Sequence, residues 1–243
     1  MPRANRYIVP GFAYHLTHRC HNREFLFKFA VDRQRYRMRL REALLESNVA
    51  LLTYNITRNH VHLLVFAEDT TAVATMMQQA AGEFARDYNR RKHRSGAFWE
   101  GRYHVTMVDS GGYLWDCFQY VELNMVRCGA VSHPSQWEWS GCRELIGLRK
   151  RNRLLNLEKL LELSGATSIE EFREHFLHGI QERIRKDCLE RQAKWTEAVA
   201  VGSEPFVKAM ERRLRHRLTS QITAEDGAWV LQEEHGAVFG LIN

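Results

Sequence analysis

Two runs rich in β-forming residues, Val49–Thr57 and His60–Phe66, are separated by only Arg58-Asn59. So short a connection favours an antiparallel hairpin. In the second run His60 and His62 lie two apart, with Val61 between them. Alternate side chains of a strand project to one face, so both imidazoles are expected on the same side. Two imidazoles on one rigid face are a ready pair of metal ligands. Taken alone, the pattern describes equally well a strand whose wetter face holds two polar residues.

The rest of the first half supplies the partners of this hairpin. Residues 12–19 alternate, Tyr14 and Leu16 against His15 and Thr17, which predicts a strand. Asp32 opens a helix with Tyr36, Leu40, Leu44 and Leu45 at helical spacing; Arg33, Arg35, Arg37, Arg39 and Arg41 read as its solvated side. A long helix is expected over 71–92, with Met76, Met77, Ala80, Phe84 and Tyr88 as its apolar seam and a break at Ser95-Gly96. Tyr103–Val108 reads as a fourth strand, and Gly111-Gly112 precedes a helix over 113–127. The first six elements have the βαββαβ, ferredoxin-like order: an α+β fold with an antiparallel sheet and helices on one face. The last helix is an addition to that core.

Residues 1–148 form the expected first domain. Arg149-Lys150-Arg151-Asn152-Arg153 marks an exposed junction to a second part, 149–243, in which only helical signals are read. These are Leu154–Leu163, then Ser168 to about Val199 with a capping box at Ser168–Glu171, and Pro205–Leu218 with Arg212, Arg213, Arg215 and Arg217. Ala224–Gly240 is left as either a helix or a tail on the core.

Composition excludes some classes. The chain of 243 residues is 44% hydrophobic and 26% charged, as globular proteins are, with no apolar run of the roughly 20 residues a membrane span needs. Nothing at the N-terminus resembles a signal peptide. Five scattered cysteines (Cys20, Cys117, Cys128, Cys142, Cys188) form no C-x-x-C pair, so reduced thiols in a cytoplasmic protein are expected. The net charge is +6. Most of it lies in residues 1–148, which hold 19 Lys/Arg against 14 Asp/Glu. This is compatible with a nucleic-acid partner.

On the 113–127 helix, Tyr120 and Asn124 are four apart and share a face. A tyrosine near a metal can act as a nucleophile through its phenol oxygen, and an amide oxygen one turn away can complete a site begun by two imidazoles. A half-buried core tyrosine has the same pattern.

Several motifs in order narrow the choice: Tyr14–Arg23, His60-Val61-His62, Asn89-Arg90-Arg91, Trp99–Tyr103 and Tyr120–Gly129. Over about residues 10–145 the chain resembles the HUH single-tyrosine transposases, in particular the REP-associated tyrosine transposases. The resemblance implies the ferredoxin-like fold above, a divalent cation (Mg²⁺ or Mn²⁺) on His60 and His62 with Asn124 as third ligand, and Tyr120 as nucleophile. It implies attack on single-stranded DNA, giving a 5′-phosphotyrosine link and a free 3′-OH, in a bacterial, nucleoid-associated protein. The expected partner is single-stranded DNA with REP-like hairpins, with no membrane; monomer and homodimer both remain open. Met125 stands where the family commonly has proline, and Cys128 where a small residue is usual.

Backbone contacts to DNA need Lys/Arg; the candidates are Arg3, Arg6, Arg19, Asn22, Arg58, Arg90, Arg91, Lys92 and Arg102. Two other readings compete with a nuclease and strand transferase. One is a domesticated protein that binds REP DNA without cutting. The other is an unrelated metallohydrolase in which Tyr120 is structural. Residues 149–243 are expected to add DNA contacts or to cover the active site.

Overall fold

A computed structural model describes residues 7–234. Strand β1 (Phe12–Arg19) turns Tyr14 and Leu16 into one apolar cluster and His15 and Thr17 to the other side. Helix α1 (Ala30–Leu45) follows, then β2 (Val49–Ile56) and β3 (His60–Ala67). The hairpin forms as predicted, Ile56 facing Val61 across it. The long helix is α2 (Ala72–Met77), one π turn over Gln78–Glu83, and α3 (Phe84–Arg91). All five residues of its predicted seam are buried. Strand β4 (His104–Val108) pairs antiparallel with β1, and β1 with β3. The order β2-β3-β1-β4 is the ferredoxin-like, α+β core.

Both faces of this sheet are covered. Val61, Leu63 and Val65 of β3 join one apolar cluster, which includes residues of α1, α2 and α3; Leu64 and Phe66 join another. Each large apolar side chain so buried contributes about 1.5–3 kcal/mol. The second face is covered by α4 (Gly112–Glu122), which packs on β2 and β3. After a one-residue break at Leu123, α5 (Asn124–Arg127) extends it, and Gly129 stops it in a left-handed conformation (φ 71°).

Two of the five arginines read as solvated on α1 are buried. Arg37 is 0% exposed and donates to Glu144 of α6 (Cys142–Leu145) at 2.8 Å and to the Tyr54 hydroxyl at 2.9 Å. Arg33 lies against Trp137 and Trp139. Residues two apart on a helix are 200° apart, so five alternate arginines encircle α1 and cannot all face water.

The second part is not purely helical. It contains α7 (Leu157–Ser164), α8 (Ile169–Arg185), α9 (Lys194–Glu197), β5 (Ala200–Gly202), α10 (Glu204–Leu214), β6 (Ser220–Glu225) and β7 (Ala228–Glu233). Its three strands continue the core sheet: β5 runs parallel to β4, β7 pairs with β5, and β6 with β7. The helix expected over 168–199 stops at Arg185, before a left-handed Asp187. Its N-cap holds, Ser168 Oγ accepting from Glu171 N, while the Glu171 carboxylate accepts from Thr167 N. The undecided segment from Ala224 is largely the β6–β7 hairpin. Asp226 and Gly227 both have positive φ (45° and 74°), as a tight Asp-Gly hairpin turn requires. That dipeptide, between β-forming residues, was the overlooked signal; the end of the segment, 235–240, lies outside the described residues. Strand β5 is only three residues long, too short to show a period.

Candidate active site

The site sits where β1 and β3 face the α4–α5 helix. Asn55 of β2 donates from Nδ2 to the Val121 carbonyl at 3.1 Å, and Thr53 hydrogen-bonds the Glu122 carboxyl, so the middle of α4 is tied to the sheet. Helix α8 clamps it from outside. Arg183 donates to Gln119 (2.6 Å) and pairs with Asp116. Gly179 lets the helices approach, since a Cβ there would lie 2.5 Å from Gln119 Nε2. These ties fix the rotation of α4. Tyr120, Asn124 and Arg127, at i, i+4 and i+7, then face the histidines.

His60 and His62 project together, their ring centroids 4.8 Å apart. His60 Nδ1 lies 2.8 Å from Asn59 Oδ1 and 3.0 Å from Thr57 Oγ1. An amide oxygen only accepts, so Nδ1 bears the proton and Nε2 keeps its lone pair. His62 Nε2 lies 3.0 Å from Asn124 Nδ2 and His62 Nδ1 lies 2.9 Å from His15 Nε2. His15 Nδ1 in turn lies 2.7 Å from the Trp195 carbonyl on α9. Burial holds all three imidazoles neutral at pH 7. It lowers His60 to about 4 and His15 to about 3, and pulls His62 well below its usual value.

Tyr120 is 5% exposed and its ring meets that of His62 edge-on at 6.2 Å between centroids. Burial raises its phenol pKa, against the nearby Arg127 charge. The Arg127 guanidinium lies 4.1 Å over the Tyr120 ring and donates to the Tyr120 carbonyl at 3.0 Å.

The donor set fits a small divalent cation. His60 and His62 are neutral, their Nδ1 atoms are engaged elsewhere, and the Asn124 amide stands against His62 Nε2. Among the described residues no group of three His, Cys, Asp or Glu is arranged for a metal; beside the two imidazoles stands the Asn124 amide, whose nitrogen faces His62 Nε2 here and whose oxygen could serve as a donor.

The DNA-binding candidates divide. Arg19, Asn22, Arg58 and Arg102 are exposed. Arg19 is opposite His60 across the sheet and its carbonyl accepts from Glu100 N, while the Arg58 carbonyl accepts from Phe27 N. Arg90, Arg91 and Lys92 sit at the end of α3 and are ion-paired, Arg90 with Asp87 and the other two with buried Asp32. Arg3 and Arg6 lie outside the described residues. Sequence reasoning missed His15, Arg127 and Trp195. The alternation of β1 marked His15, and the i+7 spacing from Tyr120 marked Arg127; nothing marked Trp195.

Residues 8–124 match the family described as "Transposase IS200 like". The matched span is just under half of the chain and contains the histidine pair, Tyr120 and Asn124. Among solved structures, the chain is similar to a REP-associated tyrosine transposase bound to a REP hairpin (16% identity, 62% of this chain and 89% of that chain covered, TM-score 0.49). It is also similar to a putative transposase from Deinococcus radiodurans R1 (21% identity, 45% and 87% covered, TM-score 0.35). No curated protein matches. Among the described residues, no helix is long and apolar enough to cross a membrane.

Proposed function

We propose that this chain is a metal-dependent single-stranded DNA endonuclease and strand transferase, with Tyr120 as nucleophile and REP-like hairpins as substrate. The observation that carries the reading is the juxtaposition of Tyr120 with His62 and Asn124 on an internally braced site. The REP-like substrate rests on the motif resemblance over residues 10–145.

The Tyr120 oxygen attacks phosphorus as its proton leaves. The bond from phosphorus to the 3′ oxygen breaks, the 3′ oxygen takes up a proton, and the 5′ phosphate stays on Tyr120. Attack by another 3′-OH reverses the step and joins new ends without ATP, because the tyrosyl ester conserves the phosphodiester. His60, His62 and Asn124 would hold a divalent cation, Mg²⁺ or Mn²⁺, which when bound polarises the phosphate oxygens. Arg127 places a positive charge beside the phenolate, and Arg19, Asn22, Arg58 and Arg102 line the approach for the DNA backbone.

The test is incubation with labelled REP-hairpin single-stranded DNA and Mn²⁺. Wild type gives an SDS-stable adduct and Tyr120→Phe gives none. His60→Ala abolishes cleavage and leaves DNA binding largely intact. An undiminished adduct with Tyr120→Phe would sink the reading; specific binding without any cutting would make this a domesticated REP-binding protein.

A further inference from the structure

His15 is completely buried, its ring nitrogens face one carbonyl and one imidazole, and the proposed chemistry leaves it no task. A carbonyl only accepts, so the Trp195 oxygen at 2.7 Å requires the His15 proton on Nδ1. In the neutral ring Nε2 is then an acceptor, and the atom facing it at 2.9 Å, His62 Nδ1, must be the donor. The two ring planes are nearly parallel, 11° apart, with their centroids at 5.0 Å. His62 Nε2 is left with its lone pair, and Asn124 Nδ2 donates to it at 3.0 Å. Every link has one donor and one acceptor, so the direction of the whole chain is set by the carbonyl at its end.

That carbonyl belongs to the C-terminal part of the protein. Thr106 Oγ1 of β4 donates to the Ala198 carbonyl at 2.8 Å and lies 3.2 Å from the Trp195 oxygen, while the His104 ring nitrogen lies 3.0 Å from the Ala198 oxygen. Trp195 is 1% exposed, with its indole N–H on Gln192. Helix α9 and the residue after it are therefore docked onto β1 and β4 through the Trp195 and Ala198 carbonyl oxygens.

We propose that His15 is a positioning residue: held by the Trp195 carbonyl, it locks His62 in the Nδ1–H tautomer and so keeps the Nε2 lone pair, which accepts from Asn124 here, on the side where a divalent cation would take it up. This rests on the metal site proposed above. The part of the chain after residue 148 is then a component of the catalytic centre, and its docking sets the orientation of a metal ligand inside the ferredoxin-like core. Hydrogen-bond partners behind a ligating histidine typically change metal affinity by about 10–100-fold.

The experiment uses the full chain and two readouts: Mn²⁺ affinity by electron paramagnetic resonance, and the His62 tautomer by ¹⁵N NMR of the metal-free protein. His15→Phe removes the acceptor. It is expected to weaken Mn²⁺ binding about 10–100-fold and to release His62 into a tautomer mixture. His15→Gln, whose Oε1 can accept from His62, restores both; His15→Asn, which reaches only the Trp195 carbonyl, does not. The Gln–Asn comparison decides the matter even if the Phe variant fails to fold. Unchanged affinity and an unchanged Nδ1–H signal in His15→Asn would overturn the inference. Absence of Mn²⁺ binding by wild type would overturn the metal site itself, a different failure, which a retained Nδ1–H tautomer in wild type would distinguish.

Discussion

Arg127 lies over Tyr120, its guanidinium carbon 4.1 Å from the ring centroid, and makes none of the ion pairs found among the described residues. A cation against an aromatic face at this range contributes about 0.5–2 kcal/mol. Here it also offsets the burial that pushes the phenol up. If Tyr120 is the nucleophile, Arg127 stabilises the charge it develops. Arg127→Met is expected to slow single-turnover adduct formation about 10²–10³-fold while hairpin binding falls far less, and Arg127→Lys to recover part of the rate. Equal rates for wild type and Arg127→Met would remove Arg127 from the chemistry.

Glu122 is fully buried on α4, with its carboxyl pushed up to about 8 by burial, against hydrogen bonds from Thr53, Cys142 and Ser140. The folded state thus keeps a proton that the unfolded chain releases near pH 4.3. The stability this group contributes is full below that pH, falls as pH rises through the window up to about 8, and is then constant. At pH 7 the cost is on the order of 3 kcal/mol. Glu122→Gln should therefore be more stable than wild type in urea melts at pH 8 and equal to it at pH 4. A pH-independent difference would refute the protonated carboxyl.

Glu144 gathers Arg37, the Tyr54 hydroxyl and the backbone N–H groups of Leu154 and Leu155 in the interior. Removing one partner of a buried pair strands the other, so Glu144→Ala should lose about 3–5 kcal/mol. The surface pair Arg39–Glu42 is a built-in comparison; Glu42→Ala should cost about 1 kcal/mol or less. Denaturant midpoints measure both.

Truncation after Gly147 would uncover the outer face of α4. Phe172, Phe176 and Ile180 of α8 are fully buried against it, Trp115 stacking on Phe172 at 4.5 Å, and β5 shields the edge of β4. An exposed strand edge beside a bare apolar face favours association. The 1–147 fragment is expected to aggregate or bind a hydrophobic dye; a soluble, cooperatively folding fragment would show that the second part is dispensable for the fold.

Local pattern made much of this legible. Period-2 alternation located β1, runs of β-forming residues located β2 and β3, period-3.6 spacing located the α2–α3 seam, and a two-residue connection decided how β2 meets β3. The same periods placed His60 with His62 and Tyr120 with Asn124. Arg33 and Arg37 were misread because charge suggests water, whereas Glu144 and two tryptophans that reach them come from 100 or more residues away.

The sequence by itself thus determined the pairs that lie within one element, because strand and helix geometry relates neighbours at fixed spacing. Only the tertiary structure decided what lies between elements. It brought the α4–α5 helix over the histidine strand, Arg127 over Tyr120, and a backbone carbonyl of α9 behind His15. That last contact has no signature in the chain, because a carbonyl is common to every residue and only the docking of α9 on β1 and β4 selects the one at Trp195.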